Sequence, residues 1–298
     1  MRIATFSHAG REGVGIVENE AVLDLAAASK GAAPASVREL IAGGDAALKQ
    51  AQEAAASAKN DKSLWRPLKD VRLLAPIPRP QKNVFCVGRN YKLHIEEGAR
   101  ARGVEPSYPK VPEFFSKPPT AVRGHEDEVS ASQSVTKQFD YEVELAVVIG
   151  KTCRDVKKGE ARSVVFGYTI LNDFTARDLQ RAHGQWFKGK SLDSTCPIGP
   201  WIVTADEFGA PGGHRIRLRV NGETRQDSNT GDMLFDVDAI IESLSAGLTL
   251  EAGDIICTGT PSGVGMGLEP QVWLEDGDVV EAEIEGIGTL RNTVRRPA

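Results

Sequence analysis

Two carboxylates, Glu142 and Glu144, lie two residues apart in the segment 140–150. The segment is typical of a β-strand, and because strand side chains alternate between faces, both carboxylates project from the same side. Val143 and Leu145 project from the other side, and the apolar run that follows indicates a buried strand. Neighbouring carboxylates at the mouth of such a strand repel each other unless one takes up a proton or a cation compensates. A divalent metal ion bound by oxygen ligands would meet that need, whereas the alternative is a solvated face of an antiparallel sheet.

Further polar side chains follow a second apolar strand, predicted over 164–171. Asp173 comes at the end of this strand, which is a usual place for a ligand. The helix predicted after it carries Arg177 and Gln180 at an i, i+3 spacing, on one face. Lys188 and Lys190, in the next loop, are candidate cations, and a solvated lysine is the alternative.

A candidate general base lies in the segment 88–98, where one or two helical turns would make His94 and Glu97 neighbours on one face. A carboxylate beside an imidazole fixes its tautomer and raises its basicity, as a general base requires. The alternative is an exposed His–Glu pair at a helix end. The polar loop 99–112 that follows contains three prolines and is long enough to suggest a mobile lid.

The segments that must position these side chains divide the chain into two parts. Residues 1–30 show short strand patterns, and 36–58 are rich in Ala, Leu and Glu and predict an exposed helix. Three prolines within residues 76–80 favour an extended tether. We therefore predict a small N-terminal α/β accessory domain at 1–75 and a catalytic domain at 76–298.

The C-terminal third is predicted to consist of hairpins and one helix. Asn221-Gly222 is a type I′ hairpin signal, and 233–248 has the pattern of an amphipathic helix. The Gly-rich segment 254–265 is not a phosphate-binding P-loop, because no Gly-Lys-Ser/Thr sequence follows it.

Composition limits the possible partners. The chain has 298 residues and a net charge of −5, which argues against a general nucleic-acid or anionic-membrane surface. Its four cysteines form no C-x-x-C pair and are expected to be free thiols in a reducing compartment. With no secretory signal in the first residues and no apolar run long enough to span a membrane, we expect a cytoplasmic protein without nucleic-acid or membrane partners.

Taken together, the sequence resembles the fumarylacetoacetate hydrolase family over residues 80–295. The resemblance is carried, in the family's order, by six motifs: Gly88-Arg-Asn-Tyr-x-x-His94-x-x-Glu97, Asp140-Tyr-Glu142-x-Glu144, Asn172-Asp173-x-Thr-Ala-Arg177-Asp-x-Gln180, Gly189-Lys190-Ser191, Asn229-Thr-x-Asp-Met and Gly259-Thr260-Pro-Ser-Gly.

The resemblance implies an α+β, mostly-β fold, a mixed β-sandwich roll, in a homodimer. It implies Mg²⁺ or Mn²⁺ held by Glu142, Glu144 and Asp173, with His94 and Glu97 as the dyad that activates water. The residues implied to face the substrate are Arg177, Gln180, Lys190 and Thr260. Founding members carry a further metal-binding Asp seven residues before the catalytic His. That position is Val87 here, so the chain looks closer to smaller acylpyruvate-type members.

The reaction expected from this site is metal-dependent hydrolysis of a C–C bond in a 1,3-dicarbonyl 2-oxo acid, of the acylpyruvate or fumarylpyruvate type. His94 would deprotonate a water, Lys190 and Gln180 would stabilise the oxyanion, and a pyruvate enolate would leave. Oxaloacetate-type decarboxylation and isomerisation of a 2-hydroxydienedioate are alternatives at the same site, because neither needs an attacking water. A metal-stabilised protein without catalysis is the alternative outside enzymes.

Overall fold

The computed structural model describes residues 1–298 as a mixed structure in which strands predominate. The strands are β1 (Arg2–His8), β2 (Arg11–Glu18), β3 (Ala21–Asp24), β4 (Trp65–Pro67), β5 (Arg72–Leu73), β6 (Val84–Gly88), β7 (Glu113–Lys117), β8 (Val122–Arg123), β9 (Glu128–Ser130), β10 (Phe139–Asp140), β11 (Val143–Ile149), β12 (Val165–Asn172), β13 (Thr175–Ala176), β14 (Cys196–Thr204), β15 (Arg215–Val220), β16 (Glu223–Asn229), β17 (Ile255–Cys257), β18 (Val279–Ile284) and β19 (Gly288–Arg295). The α-helices are α1 (Leu25–Ala28), α2 (Val37–Ala42), α3 (Gly44–Ala58), α4 (Lys92–Ala101), α5 (Arg177–Ala182), α6 (Phe187–Lys190), α7 (Ala205–Phe208) and α8 (Val237–Ser245). No helix has both the length and the apolar character that crossing a membrane requires.

The strand β11 is buried along its whole length in the middle of a twelve-stranded sheet, between β12 and β17. Its odd-numbered residues belong to one core of 33 buried residues, and Ala146 and Val148 belong to a second core of 25. Because successive side chains alternate, one strand supplies both cores. The strand that carries Glu144 is therefore fixed between two apolar layers.

Two different layers cover the faces of the large sheet. The five-stranded sheet, ordered β16-β15-β18-β19-β9, and helix α8 contribute to the first core. Helices α2 and α3 contribute Val37, Leu40, Ile41 and Ala51 to the second core. This arrangement confirms the predicted α+β, mostly-β class with a mixed β-sandwich roll.

The N-terminal segment joins the large sheet rather than forming a separate one. Strand β1 pairs antiparallel with β14, with Ile3 opposite Ile202, and β2, β3 and β4 extend the sheet outward from β1. The helical segment is divided between α2 and α3 at Gly43, and Gly44 adopts a φ of +58° there. The boundary at 75–76 stays a prediction, because one sheet runs across the two parts.

Helix α8 is shorter than the predicted 233–248. Asp236 caps its N-terminus by accepting a hydrogen bond from the amide of Ala239, at 2.8 Å. Leu234, predicted on the inner face, lies before this cap and is 39% exposed. The apolar pattern extends to residues before the helix, but the hydrogen bond to the Asp236 side chain sets the position at which the helix begins.

Two other local predictions are confirmed. Asn221 and Gly222 both have positive φ, of 52° and 81°, as a type I′ turn between β15 and β16 requires. The four cysteines are free thiols.

Candidate active site

The three carboxylates predicted as metal ligands come together. Glu142 precedes β11, Glu144 lies within it and Asp173 follows β12, and the antiparallel register pairs Val143 with Asn172. This register brings Asp173 opposite Glu142, and the Asp173 amide donates to the Glu142 carbonyl at 2.8 Å. One ligand atom from each carboxylate lies within 4.8 Å of the others, and all three residues are buried.

Lys190 and Arg177 provide positive charge beside Glu142. The Lys190 ammonium donates to Glu142 Oε2 at 2.6 Å and to Asp173 Oδ2 at 2.7 Å. The Arg177 guanidinium donates to Glu142 Oε1 at 2.6 Å and to Asp140 Oδ2 at 2.8 Å. Burial alone would raise the pKa of Glu142, but the Arg177 and Lys190 charges outweigh it and hold this pKa below its usual value.

Glu144 lies in a different electrostatic environment. Its Oε2 accepts hydrogen bonds from the Gly259 amide at 2.5 Å and from the Cys257 thiol at 2.7 Å, while its Oε1 accepts none. No Lys or Arg nitrogen lies within 4.0 Å of its carboxylate. Burial, followed by the nearby Asp173 and Glu142 carboxylates, raises the pKa of Glu144 well above its usual value. The group therefore lacks a compensating cation.

This donor set fits a divalent cation. The three buried carboxylates, with ligand atoms within 4.8 Å of one another, offer the hard oxygen donors that Mg²⁺ and Mn²⁺ prefer. Glu144 also keeps one oxygen without a hydrogen-bond partner. Glu142, Glu144 and Asp173 would hold the ion. The resemblance places a further metal-binding Asp of founding members seven residues before the dyad histidine. That position is Val87 here, a buried apolar side chain that lines a cavity beside the carboxylates.

The His–Glu pair is supported by the Gly-rich loop. On helix α4, His94 Nδ1 lies 3.2 Å from Glu97 Oε2, and the Gly263 amide donates to the other Glu97 oxygen at 2.8 Å. A Cβ at Gly267 would lie 2.2 Å from the Glu97 carboxylate, so a side chain there would displace this carboxylate from its present position beside His94. With Nδ1 bound to a carboxylate, the imidazole presents Nε2 as a proton acceptor. The side chain of His94 is 12% exposed, so it is accessible to a small ligand.

One cavity of about 420 Å³ adjoins both groups. It is lined by most of the predicted site residues: His94, Glu142, Glu144, Arg177, Gln180, Lys190 and Thr260. Glu97 and Asp173 do not line it and support the lining residues from behind. The Thr260 hydroxyl donates to the Val143 carbonyl at 2.9 Å and accepts from Gln226, so its proton is already engaged with the protein.

Sequence reasoning missed a second buried lysine. Lys117, at the end of β7, is fully buried, and its ammonium donates to Asp173 Oδ1 at 2.7 Å and to the Phe174 carbonyl at 3.1 Å. It therefore fixes the Asp173 oxygen that Lys190 does not contact. A lysine between a strand of aromatic residues and two prolines was the only local signal, and it does not identify the partner.

Two buried polar residues that support the site were also missed. Asp140 accepts hydrogen bonds from the Gly265 and Met266 amides at 2.7 and 3.1 Å, which ties the Gly-rich loop to the start of the carboxylate strand. Gln226 accepts from the Val143 amide at 3.0 Å and donates to Thr260. Asp140 was visible as a member of the Asp-Tyr-Glu motif, whereas Gln226 had no sequence signal.

Replacing Lys117 by Met is expected to destabilise the fold by about 3–5 kcal/mol, because it leaves one oxygen of a buried carboxylate without its charged partner. The measurement is the free energy of unfolding in urea, with Lys188→Met, on the exposed side of α6, as the matched control. A change below about 1 kcal/mol, within the usual range of surface substitutions, would contradict the structural role given to Lys117.

Comparison with known proteins identifies the family. The family model described as fumarylacetoacetate (FAA) hydrolase C-terminal matches residues 83–295, which hold every candidate site residue. The chain belongs to this family. A second model, described as Rv2993c-like, N-terminal, matches residues 1–76.

Family members similar to this chain carry different activities in their names. The chain is 46% identical, over 99% of its length and 100% of the relative's, to oxaloacetate tautomerase YisK of Bacillus subtilis. The fumarylacetoacetate hydrolase structure from Exiguobacterium antarcticum matches with a TM-score of 0.83, 42% identity and 99% coverage of both chains. Maleylpyruvate hydrolase from Sphingobium sp. SYK-6, in complex with manganese(II) and pyruvate, matches with a TM-score of 0.79, 32% identity and 100% coverage of both chains. These names differ in the reaction they state, so family membership alone does not decide which reaction this chain catalyses.

Proposed function

We propose that this protein is a divalent-metal-dependent enzyme that interconverts the keto and enol forms of a 2-oxo dicarboxylate such as oxaloacetate. The proposal is carried by one cavity, which is lined by His94 of the His–Glu dyad, by two of the three clustered carboxylates and by several cationic side chains. Similarity to an oxaloacetate tautomerase over both the N-terminal and C-terminal parts of the chain supports this choice. The C–C hydrolase predicted from sequence becomes the second candidate.

The proximal end of the substrate would bind beside the three carboxylates. Glu142, Glu144 and Asp173 would hold a divalent ion, which when bound would supply Lewis-acid stabilisation of the negative charge at the 2-oxo acid end. Lys190, which already contacts Glu142 and Asp173, places an ammonium beside the same charge. Gln180 lies on the cavity wall, where its side-chain amide accepts from Arg177 at 3.3 Å and keeps its own N–H groups for the substrate.

The dyad would move the proton. His94 Nε2 removes a proton from C3 of the keto form, and the resulting imidazolium gives that proton to the 2-oxo oxygen to complete the enol. The reverse sequence restores the keto form. Glu97 holds the imidazole in the tautomer that exposes Nε2 and stabilises the imidazolium that forms transiently. Each turn of this cycle returns every group to its starting protonation state, so no water is consumed.

Hydrolysis of an acylpyruvate is the second candidate, because the same His94 Nε2 is suited to deprotonating a water. The hydroxide would attack the distal carbonyl, and cleavage of the C–C bond would release a pyruvate unit and a carboxylic acid. The maleylpyruvate hydrolase with bound manganese and pyruvate supports this alternative through its similar fold.

A substrate panel separates these reactions. We expect the enzyme with Mg²⁺ or Mn²⁺ to accelerate the decay of enol-oxaloacetate absorbance, and excess EDTA to reduce the rate to the uncatalysed value. Pyruvate release from acetylpyruvate and fumarylpyruvate, and carbon dioxide release from oxaloacetate, are measured in parallel.

Each outcome of the panel assigns a reaction. Metal-dependent decay of the enol without pyruvate or carbon dioxide release would establish the tautomerase. Pyruvate release from the acylpyruvates, with no effect on enol-oxaloacetate, would assign the hydrolase instead. Release of carbon dioxide and pyruvate from oxaloacetate, with no cleavage of the acylpyruvates, would assign a decarboxylase.

We also propose that the protein works as a homodimer, as the family resemblance implies. Size-exclusion chromatography with light scattering would test this, because a 32.1 kDa chain gives clearly different masses for a monomer and a dimer. A monomeric mass at the concentration of the activity assay would exclude the dimer as the working form.

A further inference from the structure

The cavity is lined by more cationic side chains than those that contact the candidate metal ligands. Five of its lining residues are cationic and two are carboxylates, namely Arg89, Arg102, Arg177, Arg181 and Lys190 against Glu142 and Glu144. Arg177 and Lys190 are bound to the buried carboxylates, and Arg89 forms an ion pair with Glu113 at 3.2 Å. Arg102 and Arg181 have no carboxylate within 4.0 Å.

Arg102 follows the last residue of helix α4, two turns beyond His94, and its side chain folds back along the helix. Its Nη1 and Nη2 lie 3.3 and 3.9 Å from the position that a Cβ at Gly98 would occupy. The missing side chain at Gly98 therefore leaves room for the guanidinium one helical turn from His94. No hydrogen bond or ion pair within the protein engages the side chain, so all its donors are free.

Arg181 approaches the cavity from helix α5, directly after the lining residue Gln180. Its only hydrogen-bond partner is the neutral side-chain oxygen of Gln138. Exposed arginines without partners are common on protein surfaces. Two of them lining one cavity, from two different helices, are the notable feature, because a cavity lined in this way attracts an anion.

We propose that Arg102 and Arg181 bind the distal carboxylate of the substrate and so make the enzyme selective for 2-oxo dicarboxylates. This inference rests on the proposed function for the orientation of the substrate. With the 2-oxo acid end held at the buried carboxylates, the other end of the molecule remains for the outer cationic groups. A planar guanidinium matches a carboxylate through paired charge-assisted hydrogen bonds, and neither arginine must first give up an ion pair.

The test compares ligands with and without a distal carboxylate by calorimetric titration of the Mn²⁺-loaded enzyme. 3,3-Difluorooxaloacetate has no C3 proton to exchange and keeps the distal carboxylate, whereas both carboxylates of oxalate belong to the chelating end. We expect Arg102→Gln and Arg181→Gln each to weaken binding of difluorooxaloacetate by about 10- to 100-fold, as for loss of a charged hydrogen-bond partner, and to leave oxalate within about twofold. Arg100→Gln is the matched control, because Arg100 is exposed on the same helix and does not line the cavity.

The same variants distinguish this inference from the proposed function. Unchanged affinity for difluorooxaloacetate in both variants and in the double variant would overturn the inference, even if the wild type tautomerises oxaloacetate. Equal weakening for oxalate would also overturn it, because the arginines would then act on the proximal end or on the fold. Selective weakening in an enzyme that shows no tautomerase activity would support the carboxylate site and reject the reaction.

Discussion

Replacing His94 by Asn is expected to lower kcat for enol–keto conversion by about 10²- to 10⁴-fold, the usual contribution of a positioned general base. The affinity for Mn²⁺, measured by titration of the metal-free protein, should stay within about threefold of the wild type. The separation is expected because His94 contacts Glu97 and the cavity, whereas the three carboxylates are held by other groups. Activity and metal affinity therefore report on two different parts of the site.

The companion variant is Glu97→Gln, which keeps the shape of the side chain and removes its charge. We expect a smaller loss of kcat, of about 10- to 100-fold, because the imidazole keeps its place but loses the carboxylate that fixes its tautomer. Glu96→Gln, the neighbouring position whose carboxylate accepts from Tyr108 at 2.7 Å, is the matched control. Wild-type turnover in His94→Asn would remove His94 from the mechanism, and loss of metal binding in that variant would indicate a disturbed site instead.

The parts of the site that sequence could predict are those fixed by local spacing. Glu142 and Glu144 share a face because the period of a strand is two residues, and His94 and Glu97 meet because i and i+3 adjoin on a helix. Both relations depend on secondary structure alone. The alternation that positions Glu144 also divides the apolar residues of β11 between two cores, so the strand could be recognised from its pattern.

The parts that sequence could not predict depend on contacts between distant segments. Lys117 meets Asp173 across 56 residues and Gln226 meets Val143 across 83, and no local pattern encodes either pairing. Arg102 and Arg181 likewise line one cavity only because two segments far apart in the chain meet there. The N-terminal segment was predicted as an accessory domain, but its continuity with the large sheet depends on the pairing of β1 with β14.

Glu144→Gln is expected to have opposite effects on metal binding and on the stability of the metal-free protein. Glu144 has no cationic partner, and burial, together with Asp173 and Glu142, raises its pKa well above the usual 4.5. A carboxyl group whose pKa is raised by folding stabilises the folded state only while it is protonated. That contribution is lost as the pH rises from the usual value towards the raised one. At neutral pH this carboxyl group therefore carries a free-energy cost in the metal-free folded protein, and a neutral amide of the same shape removes that cost.

The expected result is a metal-free Glu144→Gln protein with a Tm equal to or above that of the wild type, and with a weaker fall of Tm above pH 4.5. Metal addition should raise the Tm of the wild type, since an ion that binds only the folded state stabilises it, but should leave the variant nearly unchanged. Glu53→Gln, on the exposed face of α3, controls for loss of one negative charge.

A Glu144→Gln variant that retains the wild-type metal-induced rise in Tm would exclude Glu144 as a ligand. A metal-free variant much less stable than the wild type would show instead that the Glu144 charge is already compensated within the protein. We expect the variant to lose the metal-induced rise in Tm and to keep or increase the Tm of the metal-free protein. This combination identifies a carboxylate whose charge serves a bound cation, because neutralising a carboxylate that stabilises the fold would lower the metal-free Tm.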